Sequence, residues 1–571
     1  MKNILRPLCA ALLAASLASG CATRPQAPLE LTLVALNDFH GNLEASKFAP
    51  PLGQGKLGEP ISVGGIDTIG AALQAWRRDD QELLFVAAGD LIGASPAISS
   101  MWADEPTLDA LSMLGLQASA AGNHEFDQGR GELLRQQHGG CASNRPGKAC
   151  QFRADFGGAR FVYLAANVID NATGKPFLPA YRIEQSKGVK VALIGAVTRE
   201  TAQYVLASGI AGLSFTDEAD AINASVAAAR AEGATVFVVL IHEGGNTDEA
   251  FNEPDCKNLQ GPIVGITERL DPAIRLIISG HSHKGFLCKV GERIVTQAEM
   301  GGHVLSRIGL SVDPHTRALR DIKVSNVVMK AGQYPPDPKM VDYLKAIKAR
   351  SDAALAKPMA KVAAQSIARK ADNAGETALG DLVADAVLAA TAADGVQIGF
   401  MNTGGLRKDL DVGADLVSTY GQLQAVLPFS NTLVVMNLTG AQIRTLLEQQ
   451  WALGEGADAG AQEGASPRTV LQVSNGFSYQ WRKAAPAGQH VVAGSIKLHG
   501  VPLSDTQSYR IVANNFLAEG GDGFPVLADI AGKRDTAIRD LDALTEYLAK
   551  AAAGGKPAGV TTTAGRIVRA D

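Results

Sequence analysis

The stretch GNHEFD, residues 122–127, places an Asn, a His and, three residues after the His, an Asp behind an apolar run. The preceding segment LSMLGLQASAA, residues 111–121, predicts a buried element that ends in a short strand. Gly122 permits a tight turn, and His124 and Asp127 then lie one helical turn apart on the same face. A carboxylate there holds one tautomer of the imidazole and favours its protonated form. The stretch therefore predicts a polar site at a strand-to-helix turn.

The chain around this stretch alternates short β-rich runs with helical patterns, which is typical of an α/β architecture. Most of the β-rich runs are continuously apolar, as expected of strands that are covered on both faces. The runs are LTLVAL (31–36), LLFVAA (83–88), FVYLAA (161–166), KVALIGAV (190–197), TVFVVLI (235–241) and RLIISG (275–280).

Residues with metal-binding side chains follow several of these runs, where each strand is expected to end. Open α/β folds place their sites at the carboxyl ends of strands. Counting His124, five of the ten histidines lie in GNHEFD or directly after one of these runs, which argues against chance scatter. The candidate metal ligands are Asp38, His40, Asp90, Asn123, His242, His281 and His283.

This set combines carboxylate, imidazole and amide groups. Such a mixture suits Zn, Mn or similar divalent ions, whereas all-oxygen Mg or Ca sites would not need so many histidines. Two neighbouring ions can clamp a phosphoryl group and activate a water molecule. We therefore expect a hydrolase with two divalent ions (Zn, Mn or Co), in which His124 stabilises the transition state or protonates the leaving group.

The character of the chain changes near residue 330. Residues 333–339 are Pro-rich, and residues 340–356 read as an amphipathic helix, a plausible connector between domains. A second domain follows, with a helical pattern over 376–391 and strand-like runs over 396–401 and 433–438. The Gly/Ala-rich stretch 454–466 predicts a loop.

The N-terminus predicts export. Lys2 and Arg6 precede an apolar run, residues 8–17, that is too short to span a membrane and is typical of a secretory signal. The run ends in ASGC, which resembles a bacterial lipoprotein cleavage site with Cys21 as the lipid-bearing residue. The alternative is plain secretion, with a soluble periplasmic or secreted protein. The net charge of −5 gives no basic footprint for a nucleic acid polymer and no polybasic membrane signal.

Four cysteines remain beyond the signal, and an even number in an exported chain suggests disulfides. Four cysteines allow three connectivities, of which proximity favours Cys141–Cys150 and Cys256–Cys288.

Five motifs together resemble those of the secreted 5′-nucleotidase family of calcineurin-like metallophosphoesterases. They are NDFHG (37–41), GD (89–90), GNHEFD (122–127), HEGG (242–245) and GHSH (280–283). The resemblance implies that His124 and Asp127 form a catalytic dyad and that Asp90 is shared by two metal ions. It implies one ligand set of Asp38, His40, Asp90 and His283, and a second of Asp90, Asn123, His242 and His281.

The second domain resembles the nucleotide-binding domain of the same family in NTGGLR (402–407), PFSN (428–431) and NFLAEGGDGF (515–524). The resemblance implies that two aromatic rings sandwich the base, an Asp binds the ribose hydroxyls and an Arg contacts the anionic end of the ligand. The family usually places one or two Arg shortly before the start of a helix, and Arg369 is a further candidate for this role at uncertain register. Asp381 stands where the family commonly has Asn. The implied substrate-binding residues are Asn402, Arg407, Phe429, Asn431, Phe516, Asp522 and Arg369.

The expected fold class is α/β. It comprises a four-layer calcineurin-like metallophosphoesterase β-sandwich flanked by helices, and a C-terminal α/β 5′-nucleotidase substrate-binding domain. We expect a signal peptide over 1–21, a tether over 22–29, a catalytic domain over 30–332, a linker helix over 333–359 and a nucleotide-binding domain over 360–571.

The expected activity is the release of phosphate from nucleoside 5′-monophosphates by a hydroxide that two metal ions activate, with UDP-sugar or other pyrophosphate hydrolysis left open. One alternative is a 2′,3′-cyclic-nucleotide 2′-phosphodiesterase/3′-nucleotidase, and another is a surface protein that binds nucleotides without catalysis. We expect a small nucleotide as partner and contact with a membrane only through a lipid anchor. The sequence does not define an oligomeric state.

Overall fold

The computed structural model describes residues 26–254, 256–429, 431–451 and 469–571. The predicted signal peptide with Cys21, residues 22–25 of the tether and the Gly/Ala-rich stretch 454–466 lie outside the described residues.

The N-terminal half is built from two six-stranded sheets with helices on their outer faces. Its strands are β1 (Leu29–Leu36), β2 (Ser46–Phe48), β3 (Pro51–Gly53), β4 (Lys56–Leu57), β5 (Ile61–Val63), β6 (Leu84–Ala87), β7 (Ala118–Ala120), β8 (Val162–Leu164), β9 (Val168–Asp170), β10 (Lys175–Pro176), β11 (Tyr181–Ser186), β12 (Val189–Val197), β13 (Leu213–Phe215), β14 (Val236–His242), β15 (Ile274–Ser279), β16 (Gly285–Val290), β17 (Arg293–Ala298), β18 (Val304–Val312) and β19 (Leu319–Val328). Its helices are α1 (Ile66–Asp79), α2 (Ala97–Ser100), α3 (Glu105–Met113), α4 (Gly129–His138), α5 (Thr201–Tyr204), α6 (Glu218–Ala231), α7 (Pro262–Glu268) and α8 (Pro338–Leu355).

The strand order is β19-β18-β1-β6-β7-β8 in one sheet and β11-β12-β14-β15-β17-β16 in the other. The strands β1, β6, β7 and β8 run parallel, as do β12, β14, β15 and β17. All six β-rich runs of the sequence lie in these parallel segments, whereas the antiparallel strands β16, β18 and β19 were not predicted.

Strand β1 shows how the apolar runs build four layers. Alternate side chains of a strand point to opposite faces of its sheet. Leu31, Leu33 and Ala35 pack between the two sheets, while Val34 and Leu36 pack under the helices of the outer layer. Burying each aliphatic side chain of this size stabilises the fold by about 1.5–3 kcal/mol. The predicted four-layer sandwich is thereby confirmed.

Helix α8 connects the two halves and packs on the first one. Asp337 caps its N-terminus by accepting a hydrogen bond from the Lys339 amide at 3.0 Å. Met340 and Ile347 are buried in the N-terminal core. None of the described helices has the length and apolarity needed to cross a bilayer.

The C-terminal half is organised around a five-stranded sheet of order β26-β22-β30-β25-β31. Its strands are β20 (Pro358–Lys361), β21 (Ser366–Ile367), β22 (Ile398–Asn402), β23 (Leu410–Asp411), β24 (Val417–Thr419), β25 (Thr432–Thr439), β26 (Leu471–Val473), β27 (Phe477–Trp481), β28 (Lys497–Leu498), β29 (Val501–Pro502), β30 (Ser508–Asn514), β31 (Arg534–Arg539) and β32 (Ile567–Arg569). Its helices are α9 (Ala378–Ala390), α10 (Tyr420–Val426), α11 (Gly440–Glu448), α12 (Asn515–Ala518), α13 (Pro525–Ala528) and α14 (Asp540–Ala553). Helices α9 and α14 cover one face of this sheet, and α11 with the small sheet β29-β28-β27-β32 covers the other.

Two disulfides join Cys141 to Cys150 and Cys256 to Cys288, with Cα atoms 5.5 and 4.5 Å apart. The connectivity that proximity favours is therefore confirmed.

Candidate active site

The loops that follow β1, β6, β7, β14 and β15 meet at one edge of the sandwich, and each carries predicted ligands. Five of these residues have left-handed backbones, which non-glycine residues adopt at a cost of about 1–3 kcal/mol and which cluster at functional sites. Their φ angles are 47° at Asp38, 44° at His40, 49° at Asp90, 74° at His281 and 54° at His283. The fold therefore holds strained backbone where the ligand motifs lie.

Four of the predicted ligands form one compact group. One donor atom from each of Asp38, His40, Asp90 and His283 lies within 4.8 Å of the others. The Nε2 atoms of His40 and His283 approach to 3.0 Å, and His283 Nε2 lies 3.4 Å from Asp38 Oδ1. His40 Nδ1 contacts the carbonyl oxygen of Gly93 at 2.8 Å, which leaves Nε2 with its lone pair directed into the group.

A second group shares Asp90. His242 Nε2 lies 3.0 Å from Asp90 Oδ2 and 3.1 Å from Asn123 Oδ1. His281 Nδ1 lies 3.0 Å from the same amide oxygen. His242 Nδ1 contacts the carbonyl oxygen of Ala88 at 2.8 Å, and this bond orients the ring. The chain thus brings together both ligand sets that the sequence predicts.

The charges of this cluster fit divalent cations. Burial lowers the pKa of His40 and of His281 to about 3, so both rings are neutral and offer lone pairs. Burial alone would also lower the pKa of His242, but the charges of Asp90 and Asp38 outweigh it and raise that pKa to about 10. Buried carboxylates that draw a proton onto a neighbouring imidazole would equally attract a metal ion. Imidazole, carboxylate and amide donors suit Zn, Mn or Co.

Two glycines allow the loops to approach this closely. A Cβ atom at Gly122 would lie 2.1 Å from Asp90 Oδ1, and one at Gly89 would lie 2.7 Å from His242 Nδ1. Gly89 has a left-handed backbone, with a φ angle of 85°, but Gly122 is not among the positive-φ glycines. Gly122 is therefore required for close approach to Asp90 rather than for an unusual backbone turn.

Glu125, inside GNHEFD, supports the Asp90 loop and was not identified from the sequence. Its buried carboxylate accepts hydrogen bonds from the amides of Asp90 and Leu91, each at 2.9 Å, and of Gly122 at 2.5 Å. A buried carboxylate needs such partners, and here the backbone supplies them. A Glu enclosed by an otherwise assigned motif is the signal that could have identified this positioning residue.

The two residues predicted as a dyad, His124 and Asp127, are in contact. His124 begins a short 3-10 helix, His124–Phe126, and its Nδ1 contacts Asp127 Oδ2 at 2.8 Å. Burial lowers the pKa of His124, but the negative charges of Asp127 and Asp90 outweigh it, so the pKa is raised overall. The His124 amide also donates to Asp90 Oδ1 at 3.0 Å, which ties the dyad to the ligand cluster.

A cavity of about 340 Å³ lies between the two halves and contains both the dyad and most of the predicted substrate residues. On its C-terminal side, Asn402 Nδ2 donates to Asp522 Oδ2 at 2.7 Å. The guanidinium carbon of Arg407 lies 5.8 Å from the ring centroid of Phe429. The predicted residues that line the cavity are Asp90, Asn123, His124, Asp127, His281, His283, Asn402, Arg407, Phe429, Asn431, Phe516 and Asp522.

Arg369 is the one predicted substrate residue that does not line this cavity. Its amide donates to Asp409 Oδ1 at 2.8 Å, and its guanidinium donates to the carbonyl oxygen of Arg407 at 2.7 Å. Its guanidinium thus reaches the backbone of a cavity residue.

The cavity also has walls that the sequence did not indicate. From the N-terminal half these are Gln128 and the segment Tyr204, Val205 and Leu206, and from the C-terminal half they include Asn515. The ring of Tyr204 lies 5.3 Å from that of His281. Gln128 directly follows GNHEFD, Tyr204 ends helix α5, and Asn515 begins the quoted stretch NFLAEGGDGF without having been singled out. Only the folded chain brings these residues to one cavity.

The fold and this site define a metallophosphoesterase, and comparisons with known proteins agree. Residues 31–285 match the calcineurin-like phosphoesterase family, and residues 354–529 match the 5′-nucleotidase C-terminal domain. The chain therefore belongs to the 5′-nucleotidase family of calcineurin-like phosphoesterases, a family of hydrolases, as the motifs predict.

The chain is 26% identical to a 5′-nucleotidase of Vibrio cholerae over 596 residues, which covers 95% of this chain and 96% of that relative. It is 28% identical to Endonuclease YhcR of Bacillus subtilis, where the match covers 92% of this chain but only 40% of the longer relative. The crystal structure of a 5′-nucleotidase precursor from Thermus thermophilus superimposes with a TM-score of 0.72 at 27% identity, covering 95% of this chain and 100% of that one.

Proposed function

We propose that this protein hydrolyses nucleoside 5′-monophosphates to nucleoside and phosphate, with two divalent ions (Zn, Mn or Co) held by the two ligand groups. The observation that carries this proposal is the shared cavity, where the dyad and the cluster face two aromatic rings of the other half. A ligand with an aromatic end and a phosphate end matches that arrangement.

The C-terminal side suits a nucleoside. Phe429 and Phe516 offer rings for base stacking, which is worth about 1–3 kcal/mol per base and tolerates any base. Asp522 offers a carboxylate that can accept hydrogen bonds from ribose hydroxyls. Its hydrogen bond to Asn402 fixes the direction of that carboxylate.

The N-terminal side suits phosphate transfer to water. Divalent ions, when bound, supply a water nucleophile of lowered pKa and offset the charge of the phosphoryl oxygens. His124, with its Nδ1 held by Asp127, directs Nε2 away from that carboxylate. The raised pKa of His124 favours the protonated ring, whose Nε2 can donate to the departing 5′ oxygen. The guanidinium of Arg407 adds a second positive charge in the cavity.

A substrate panel tests this proposal. Chelator-treated mature protein, reloaded with Mn or Zn, is assayed for phosphate release from AMP, 3′-AMP, 2′,3′-cyclic AMP, ATP and UDP-glucose, with His124→Ala as control. We expect metal-dependent turnover of AMP that the variant lacks. Preference for the cyclic or 3′ substrates would replace the proposal with the 2′,3′-cyclic-nucleotide activity. Nucleotide binding without turnover of any substrate would indicate a binding protein.

We also propose that the protein is an exported bacterial lipoprotein, anchored through Cys21 on the periplasmic side of a membrane. The support is the N-terminal sequence pattern alone. Radioactive palmitate labelling of the wild type and of Cys21→Ser, followed by membrane fractionation, tests it. Labelling should be lost in the variant, and the protein should move to the soluble fraction. Equal labelling and fractionation of both would contradict the anchor.

A further inference from the structure

Three side chains outside the ligand and substrate sets form a hydrogen-bonded row. Ser46 Oγ lies 2.6 Å from His303 Nε2, and His303 Nδ1 lies 2.7 Å from Glu299 Oε2. The side chains of His303 and Glu299 are only 13% and 15% exposed. The ring of His303 also stacks on Phe48, with centroids 5.2 Å apart. An ionised carboxylate only accepts, so His303 Nδ1 carries a proton toward Glu299.

The row ends on a strained residue. Glu299 has a φ angle of 59°, in the left-handed region that favours glycine. Its carboxylate accepts from His303 and, at 2.7 Å, from the amide of Met300. These two bonds hold the side chain of Glu299 back over its own backbone. They therefore stabilise a local conformation that a residue with a Cβ atom would otherwise avoid.

The backbone of this segment in turn holds Asp38. The carbonyl oxygen of Glu299 accepts from Asn37 Nδ2 at 2.5 Å, and the amide of Ala298 donates to Asn37 Oδ1 at 2.7 Å. The fixed Asn37 amide donates to Asp38 Oδ2 at 2.7 Å. The amide of Gly301 donates to the carbonyl oxygen of Asp38, also at 2.7 Å. Both the backbone and the carboxylate of Asp38 are thus oriented by residues 298–301.

We propose that His303 and Glu299 are positioning residues of the metal site, whereas Ser46 only completes the hydrogen bonding of the His303 ring. His303 and Glu299 hold the left-handed backbone of residue 299 and, through Asn37, the carboxylate of Asp38. This inference rests on the proposed metal-dependent function, and it assigns the three residues no contact with substrate. Groups that orient a metal ligand without contacting the metal themselves typically contribute 10–100-fold to metal affinity.

Two substitutions of His303 separate its two hydrogen bonds. The amide nitrogen of Asn can replace Nδ1 and keep the bond to Glu299, while that of Gln can replace Nε2 and keep only the contact with Ser46. We therefore expect His303→Gln to raise the Mn²⁺ dissociation constant of one site on the order of 10-fold or more. His303→Asn should stay within about threefold of the wild type. His315→Gln, the same change at an exposed histidine, is the control.

A glycine at position 299 tests whether His303 affects Mn²⁺ affinity through the backbone conformation of residue 299. Glycine adopts a positive φ angle without strain, so Glu299→Gly should retain Mn²⁺ affinity close to the wild type. In that background His303→Gln should have no further effect, because the conformation that His303 supports no longer needs support. If His303→Gln alone does not fold, the test is the comparison of the double variant with Glu299→Gly.

The measurement is a Mn²⁺ titration followed by EPR of the free ion, with AMP turnover measured at limiting and at saturating Mn²⁺. At limiting Mn²⁺ we expect His303→Gln to turn over AMP more slowly than the wild type. At saturating Mn²⁺ its turnover should equal that of the wild type, with KM for AMP unchanged. Mn²⁺ affinity equal to the wild type in His303→Gln, or an equal loss in the Glu299→Gly background, would overturn the inference. Covalent labelling of Ser46 by a fluorophosphonate would also overturn it, since the row would then be a serine nucleophile with its base. The titration needs no substrate, so its outcome does not depend on whether the protein hydrolyses AMP.

Discussion

The ring of Phe429 stacks on the imidazole of His124, with centroids 5.7 Å apart and planes inclined by 16°. The two residues belong to different halves of the chain, so the contact places a proposed base-stacking ring directly against the proposed acid of the dyad. A second contact across the halves joins the Ser208 amide to the carboxylate of Glu519, to which it donates at 3.0 Å. The two halves therefore contact each other in the described arrangement.

Replacement of Phe429 should separate base binding from catalysis. Phe429→Leu keeps apolar bulk but removes base stacking worth about 1–3 kcal/mol, so KM for AMP should rise on the order of 5–150-fold. KM for ribose 5-phosphate, which has no base, should stay unchanged. Phe429→Ala should in addition lower kcat for both substrates, because His124 loses the ring against which it packs. An equal rise in KM for both substrates in Phe429→Leu would contradict a base-stacking role.

The dyad makes a separate prediction. His124→Ala should lower kcat for AMP by about 10²–10⁴-fold, the usual contribution of a positioned general acid. Asp127→Asn should cause a smaller loss, since the amide can still contact Nδ1 but no longer favours the protonated ring. Mn²⁺ affinity, measured by titration without substrate, should be unchanged in both variants. A parallel loss of metal affinity and kcat would instead make His124 part of the metal site.

The parts of this site that the sequence predicts are those carried by motifs at the ends of buried strands. Continuous apolar runs fix the parallel strands, and parallel strands bring their carboxyl ends to one edge, so Asp38, Asp90 and His242 could be expected together. Nothing in this reasoning required long-range contacts to be known. The two disulfide pairings could also be predicted from the sequence, because each favoured pair is close in sequence.

The remaining parts depend on contacts between distant segments. Ser46 and His303 are 257 residues apart, and neither stands in a recognisable motif. The partners of Glu125 are backbone amides, which every residue offers and no sequence pattern marks. Tyr204 reaches the cavity by packing against His281, which lies in a distant loop of the same half. Periodicity and motif spacing carry no information about such contacts.

Removal of metal should lower stability as well as activity. A ligand present at 100 times its dissociation constant stabilises the folded state by about 2.7 kcal/mol, which for a domain of about 300 residues corresponds to roughly 4 °C in melting temperature. Calorimetry before and after chelation should show this decrease, and added Mn or Zn should reverse it. Asp90→Asn, which alters the carboxylate shared by both groups, should abolish the response, whereas His124→Ala should retain it. An unchanged melting temperature on chelation would contradict tight metal binding by the described cluster.

Asp540 predicts a pH-dependent loss of stability beside the cavity. It is 1% exposed at the start of helix α14, and its amide donates to the carbonyl oxygen of Asn431, a cavity residue, at 2.9 Å. Burial raises the pKa of Asp540 from 3.8 to about 7. A carboxyl with a higher pKa in the folded chain binds a proton on folding between about pH 4 and pH 7, so stability falls as the pH rises through that range.

Asp540→Asn should remove this contribution. The amide oxygen of Asn can still accept from the Leu541 amide, a bond of 2.8 Å in the wild type, without burying a charge. The stability of the variant relative to the wild type should therefore increase between pH 4 and pH 8, toward an upper limit of roughly 4 kcal/mol. Urea unfolding at several pH values measures this difference, and Glu546→Gln, at a side chain that is 61% exposed on the same helix, is the control. A constant difference between Asp540→Asn and the wild type across the pH range would show that Asp540 does not titrate on unfolding.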